Sequence, residues 1–312
     1  MNEKLKALLA QLESVIFGKE RECRLTVCAL LSGGDLLIED VPGVGKTSLA
    51  VALAQSLDLS FGRIQFTPDT LPGDVTGYST IDMRTGELKF HEGPVMHNIV
   101  LADEINRTSP KTQASLLEVM AERQVTVEGR SLPLPRPFMV IATENPIEFA
   151  GTYHLPEAQL DRFLMRISMG YPGAADELNM LRARLAGEEP TALKPVLTGP
   201  EVLELQRAAS GVQMTEKIMN YIVRLCAETR QDKNLALGAS PRATIALGRC
   251  ARAWALLEGR DFVTPQDVQA VVYPVLTHRL VLSLDAGIRA VTAEEVLREC
   301  VSRVAAPPEF RT

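Results

Sequence analysis

Residues 34–54 read GDLLIEDVPGVGKTSLAVALA. The run from Gly34 to Glu39 reads as a short buried strand, and Ser48 to Ala54, rich in Ala and Leu, reads as a helix. Between them lies a Gly-rich loop that ends in Gly45-Lys46-Thr47. Strand, loop and helix in this order is the setting of a P-loop. The pattern runs Gly, four residues, Gly-Lys, then Ser or Thr, and here Asp40 stands where the first glycine belongs. That position is farthest from the lysine, and Asp tolerates unusual backbone angles. With Pro42 and Gly43 also in place, chance supplies the string in fewer than about one chain in a thousand of this length. Glycines let backbone N–H groups turn inward around phosphate oxygens. The following helix points its positive N-terminus at the same anion. Pro42, Gly43, Val44, Gly45, Lys46, Thr47 and Ser48 are therefore the candidate phosphate-binding residues. Lys46 can reach the outer phosphates, and the Thr47 hydroxyl can ligate Mg²⁺.

Outward from this loop, strand-like and helix-like segments alternate up to about residue 170. Apolar runs at 36–38, 63–66, 98–102 and 138–142 predict buried parallel strands, with helices at about 20–31, 46–57 and 110–123. This alternation predicts a layered α/β domain. Residues 78–93 and 124–135 interrupt it with β-like arms around Arg-Thr-Gly-Glu and Glu-Gly-Arg, and predict two inserted hairpins. A Pro-containing stretch at 188–200 reads as a linker. Beyond it helical periodicity dominates, at 201–209, 215–230, 241–257, 265–273 and 293–304. Thr264-Pro265 fits a helix start. The expected division is an α/β nucleotide-binding core over 1–190 and a helical domain over 191–312.

The chain has 312 residues, 46% apolar and 23% charged, with a formal net charge of −6. These values fit a globular protein with room for two domains. Residues 1–195 carry 19 Lys+Arg against 26 Asp+Glu, net −7, and residues 196–312 carry 14 against 13, net +1. The acidic first part argues against a nucleic-acid-wrapping role. No apolar run reaches the roughly 18 residues of a membrane span, so no membrane insertion is expected. The amphipathic N-terminus lacks the apolar core of a signal peptide. Five cysteines, at 23, 28, 226, 250 and 300, form no Cys-x-x-Cys pair. Neither disulfides nor a zinc site are expected, and a reducing, cytoplasmic setting is. The histidines at 91, 97, 154 and 278 are dispersed and read as structural or solvated.

Asn98 to Glu104 is an apolar strand that ends in two acids. A phosphate–Mg²⁺ site needs a carboxylate to hold the metal, and Asp103 is placed for it. Hydrolysis needs a second group to orient and deprotonate water, and Glu104 is the candidate. Phe138 to Asn145 is another buried strand with a polar end. Asn145 could hydrogen-bond the γ-phosphate or the water, or serve an Asn-Pro turn with Pro146. Arg162 follows on a short helix, where it could pair with Asp161 or Glu157. Arg242 sits in the first turn of a later helix, where it opposes the helix dipole and calls for an anion partner.

With these pieces in order, the chain resembles the MoxR family of AAA+ ATPases nearly end to end. The strings that carry the resemblance are VIFGKE (15–20), EDVPGVGKT (39–47), RIQFTPDTLPGDVTG (63–77), GPVMHNIVLADEINR (93–107), KTQASLLEVMAERQVTV (111–127), FMVIATENPIEFAGTYHLPEAQLDRF (138–163) and GASPRA (238–243). A residue other than glycine at position 40 is usual in that family. The resemblance implies a parallel five-stranded sheet between helices, two inserted hairpins and an all-α lid. It implies ATP and Mg²⁺ as cofactors, with Lys46 and Thr47 as Walker A and Asp103 and Glu104 as Walker B. Asn145 corresponds to sensor 1. Arg242 corresponds to sensor 2, reaching from the lid to the γ-phosphate. Arg162 corresponds to an arginine finger acting in trans, with Arg166 as a weaker alternative. Ile16, Phe17 and Gly18 correspond to the segment along adenine. It further implies a hexameric ring, a partner with a von Willebrand factor A domain, and chaperone-like remodelling of protein complexes. A nucleotide-gated scaffold, a magnesium-chelatase-like insertion motor and a DNA-associated motor are the competing expectations.

Overall fold

The computed structural model describes residues 2–41, 43–127, 129–146, 152–185 and 193–308. Pro42 and residues 188–192 of the expected linker lie outside them.

Five strands form the central sheet: β1 (Leu36–Glu39), β2 (Phe61–Gln65), β3 (Ile99–Asp103), β4 (Met139–Glu144) and β5 (Met165–Ile167). All pair in parallel, in the order β2-β3-β4-β1-β5. Successive side chains on a strand point to opposite faces. Leu36, Ile38, Ile99, Leu101, Met139 and Ile141 accordingly join one apolar cluster, and Leu37, Val100, Ala102, Val140 and Ala142 join the other. With both faces covered, every residue of β3 is buried, which explains its near-continuous apolar run.

The helices Glu3–Val15, Glu20–Leu31 and Lys46–Ser56 cover the first face. Pro110–Glu122 covers the second. The two hairpins pair as read, Gly77–Ile81 with Leu88–Glu92 and Gln124–Val127 with Arg130–Pro133. The base of the first is tight: a Cβ on Gly93 would lie 2.3 Å from the Val75 carbonyl oxygen.

The C-terminal region is mostly helical, built on Gly199–Gly211, Glu216–Gln231, Pro241–Leu257, Pro265–Leu276 and Ala293–Arg303. It is not all-α as expected, because Leu235–Leu237 pairs antiparallel with Val281–Leu282. Its core is continuous with that of the first face, since Leu247, Cys250 and Val271 join the same cluster as Leu30 and Leu31. Gln206 Nε2 donates to the Leu30 carbonyl at 2.7 Å, and Arg249 donates to the Ser32 carbonyl. The helical region is thereby fastened beside Ser32 and Gly33, at the chain's entry into β1. The described end of the linker is also held, with Val196 N–H donating to the Ser56 carbonyl at 2.9 Å.

Among the described residues, no helix is long and apolar enough to cross a membrane, and no cluster of His, Cys, Asp or Glu could hold a metal ion by itself. All five cysteines are free and buried.

Candidate nucleotide site

β4 lies between β1 and β3 in the sheet, so the carboxyl ends of these three strands converge. Ligands of open α/β sheets bind at that edge. It collects the phosphate loop after β1, Asp103 and Glu104 after β3, and Asn145 after β4.

Gly45 caps the helix Lys46–Ser56 with φ of +93°, and Gly43 has φ of +87°. These left-handed angles are costly for side chains and available to glycine. Lys46 is buried, and its Nζ donates to the Asp40 carbonyl at 2.8 Å and the Glu144 carbonyl at 3.4 Å. Burial lowers its pKa, against the carboxylates of Asp103, Asp40 and Glu104. Thr47 is half-buried and Ser48 exposed on the same first turn. Ile16 approaches the loop: a Cβ on Gly45 would meet its Cδ1 at 3.8 Å. Phe17 and Gly18 follow it, Phe17 half-buried and Gly18 exposed.

Asp40 has a role that sequence reasoning missed. It is absent from the positive-φ residues, so tolerance of unusual angles is not what admits it. Its carboxylate accepts from Val41 N–H at 2.8 Å, Ser168 Oγ at 2.9 Å and Gly170 N–H at 2.5 Å. These bonds lower its pKa although burial raises it. The side chain ties the start of the loop to the exit of β5.

Asp103 and Glu104 are joined through Thr143 on β4. Thr143 Oγ1 donates to Asp103 Oδ1 at 2.7 Å and accepts from Glu104 N–H at 2.9 Å. Asp103 also receives Arg63 Nη2 at 2.9 Å. Glu104 has φ of +58°, a strained angle for a side-chain-bearing residue, of the kind that collects at functional sites. Its carboxylate receives Gln65 Nε2 at 3.0 Å and pairs with Arg107 Nε at 3.2 Å. Asn145 is buried, and its carbonyl accepts from Asn106 Nδ2 at 3.2 Å. A buried Thr one residue from a polar strand end was the available signal for Thr143.

Glu144 lies opposite Glu39 in the β1–β4 register. Its Oε1 is enclosed without a hydrogen-bond partner among the described residues. Burial, then the neighbouring Glu39, pushes its carboxyl up to about 7, against the opposing effect of Arg166. Arg166 Nη1 donates to Glu39 Oε2 at 2.5 Å, beside the chain's own loop.

Arg162 and Arg242 are not brought to this edge. Both line a cleft of about 510 Å³ with Gly33, Gly34 and Asp35, at the opposite end of β1. The four residues of β1 span about 13 Å. Arg162 pairs with neither Asp161 nor Glu157, and its Nη1 donates to the Leu117 carbonyl at 2.8 Å. Arg242 is exposed and forms no ion pair among the described residues.

The donor set suits a polyphosphate with a hard cation. A Gly-rich helix N-terminus and one ammonium are groups that suit an anion, and a hydroxyl at Thr47 and a carboxylate at Asp103 are oxygen donors of the type Mg²⁺ favours.

Comparison with known proteins identifies the family. A model of the "ATPase family associated with various cellular activities (AAA)" matches residues 35–165, and an AAA lid domain model matches 227–300. An uncharacterised protein, YeaC, of Bacillus subtilis (strain 168) is 48% identical over 94% of this chain and 92% of its own. Chaperone MoxR1 of Mycobacterium tuberculosis is 40% identical over 97% of this chain and 82% of its own. The crystal structure of a presumed ATPase from Cytophaga hutchinsonii superposes with a TM-score of 0.90 at 35% identity, covering 98% of this chain and 95% of that one. A magnesium-chelatase subunit of Arabidopsis thaliana is more distant, 31% identical over 61% of this chain and 46% of its own. With relatives named MoxR matched over most of their length, and with both AAA models matched, the chain belongs to the MoxR family of AAA+ ATPases.

Proposed function

We propose that the chain binds and hydrolyses ATP, and that it does so in a ring in which each subunit completes its neighbour's site. The observation that carries this reading is the convergence of Lys46, Asp103, Glu104 and Asn145 on one sheet edge, with Glu104 held in a left-handed conformation. Lys46 exchanges its carbonyl partners for the outer phosphates. Thr47 and Asp103 would hold Mg²⁺, which would supply charge neutralisation at the phosphates. Glu104 orients and deprotonates the attacking water, and Asn145 fixes that water against the γ-phosphate. Ile16, Phe17, Gly18 and the loop residues Pro42–Ser48 hold the nucleotide.

Arg162 and Arg242 lie beyond the reach of their own loop, yet both are arginines without an acidic partner on an open cleft. They act together on the ATP of a second copy, where added cationic charge contributes about 10³–10⁵ in rate. The lid, residues 191–312, then delivers Arg242 in trans. Six copies are the ring this reading expects. The work is chaperone-like remodelling of partner complexes in the cytoplasm, with a von Willebrand factor A domain protein as the adaptor.

The test is ATPase rate against protein concentration, with molar mass from light scattering. Specific activity should rise as a species near six times 34.1 kDa appears. Glu104→Gln should keep ATP binding and abolish turnover. Undiminished hydrolysis by that variant, or a flat rate across a clear assembly transition, refutes the reading.

A further inference from the structure

We propose that Asp161 and Arg279 are positioning residues that hold Arg162 and Arg242 as one unit for the neighbour's phosphate. The proposal rests on the trans reading above.

Arg279 is the last residue of the short turn Thr277–Arg279 in the lid and is 5% exposed. Its Nε donates to Asp161 Oδ1 at 2.7 Å. Its Nη2 donates to the Phe163 carbonyl at 2.6 Å, and its Nη1 to the carbonyls of Leu164 at 3.1 Å and Val275. One guanidinium therefore grips the chain on both sides of Arg162. His278 Nε2 adds a bond to the same Phe163 carbonyl at 3.2 Å. From the far side, the Leu117 carbonyl holds the Arg162 side chain itself.

Asp161 also touches the other arginine's support. Ser240 Oγ lies 3.4 and 3.3 Å from its two carboxylate oxygens. Ser240 caps the helix Pro241–Leu257, accepting from Ala243 N–H at 3.1 Å, and Arg242 is two residues on. A single carboxylate thus links the segment that carries Arg162 to the cap of the helix that carries Arg242.

Charge supports the same assignment. Five arginines line the cleft, Arg123, Arg162, Arg242, Arg249 and Arg279, against the carboxylates of Asp35 and Asp161. Asp35 is taken by Arg123, and Asp161 by Arg279. The cationic surplus falls on three exposed arginines, Arg162, Arg242 and Arg249. The pair joins a buried guanidinium to a half-buried carboxylate, and such a pair is weak evidence for stability. A planar guanidinium can satisfy several fixed acceptors at once, which the point charge of lysine cannot.

The test uses Arg279→Lys in the full chain. Its kcat should fall by about 100-fold, the effect of roughly 1 Å of misplacement. Nucleotide affinity should stay unchanged, because the loop lies at the other end of β1. Adding Lys46→Ala chains should restore turnover, since those chains cannot use ATP but present intact arginines to the Arg279→Lys sites. Arg162→Ala, mixed in the same way, is the control. Full activity of Arg279→Lys alone overturns the proposal. So does a loss that Lys46→Ala chains do not restore while they do restore Arg162→Ala, because the pair is then merely structural. If neither variant is restored, the trans reading has failed and the clamp falls with it. Asp161→Asn keeps an oxygen for Arg279, loses the charge and tolerates folding better. It should show a smaller drop with the same restoration, and full activity there also overturns the proposal.

Discussion

A single hydroxyl joins the two acids of the site. Thr143 donates to Asp103 and accepts from the Glu104 N–H, so it fixes both the carboxylate proposed to hold the metal and the strained turn behind the proposed base. Thr143→Val keeps the shape and removes both bonds. It leaves a buried acceptor and donor unpaired, at about 1–3 kcal/mol of stability. Turnover should fall by at least about tenfold with nucleotide affinity retained, because the base loses its alignment. Unaltered kcat would place the alignment elsewhere. Glu144 makes a different prediction. Its native carboxyl titrates near 7, whereas an unfolded glutamate titrates near about 4.3. Between those values the native state binds the extra proton, so stability is full at low pH and declines as pH rises through 7. The decline is roughly 4 kcal/mol at most. Glu144→Gln should come close to the parent in Tm at about pH 3.5, below the unfolded value, and exceed it at pH 8. A constant difference across that range would mean that Glu144 is ionised throughout. The loop, both acids and Asn145 were legible at this scale, because each ends an apolar run with a polar residue. Asp40, Thr143 and the partner of Asp161 were not, since their roles arise from residues 128, 40 and 118 positions away in sequence.

Among the elements, the strands at 36–38, 63–66, 98–102 and 138–142 and the helix at 241–257 were readable within a few residues, because sustained burial leaves a periodic signature. β5 was not located, since its three residues are Met-Arg-Ile and Arg166 breaks the apolar run. The helix Ala174–Leu185 escaped notice for the opposite reason: its described side chains are mostly exposed, so it carries no apolar stripe. The first helix, Glu3–Val15, shows the contrary case. Leu5, Leu8 and Leu12 are fully buried or nearly so, at spacings of three and four, against the helix Lys46–Ser56 that begins with Lys46. Leu12→Ala should cost about 2–5 kcal/mol, read by denaturant unfolding. A cost well under 1 kcal/mol would show that this helix is not integral to the core.

At the scale of the whole molecule, the lid is not a separate bead on a linker. Its helices share an apolar cluster with the first face of the sheet, so the packing that stabilises it also fixes where Arg242 points. Sequence periodicity finds five lid helices yet cannot say at which end of β1 they dock, because docking depends on distant pairs such as Gln206 with Leu30. Four of the five buried thiols lie in that same shared interior, Cys23 and Cys28 on the core helix Glu20–Leu31 and Cys226 and Cys250 in the lid, and the fifth, Cys300, is buried beside Asp232 and Arg303. Burial pushes the Cys23 and Cys250 thiols up to about 12 and Cys300 to about 11, so almost no thiolate is present at neutral pH. A thiol-reactive dye should therefore label the folded chain far more slowly than the denatured one, which should take up five equivalents. Rapid native labelling would contradict this burial. The cysteines give the protein a built-in stopwatch: the order in which they react records which half of the molecule breathes first, with no probe engineered in.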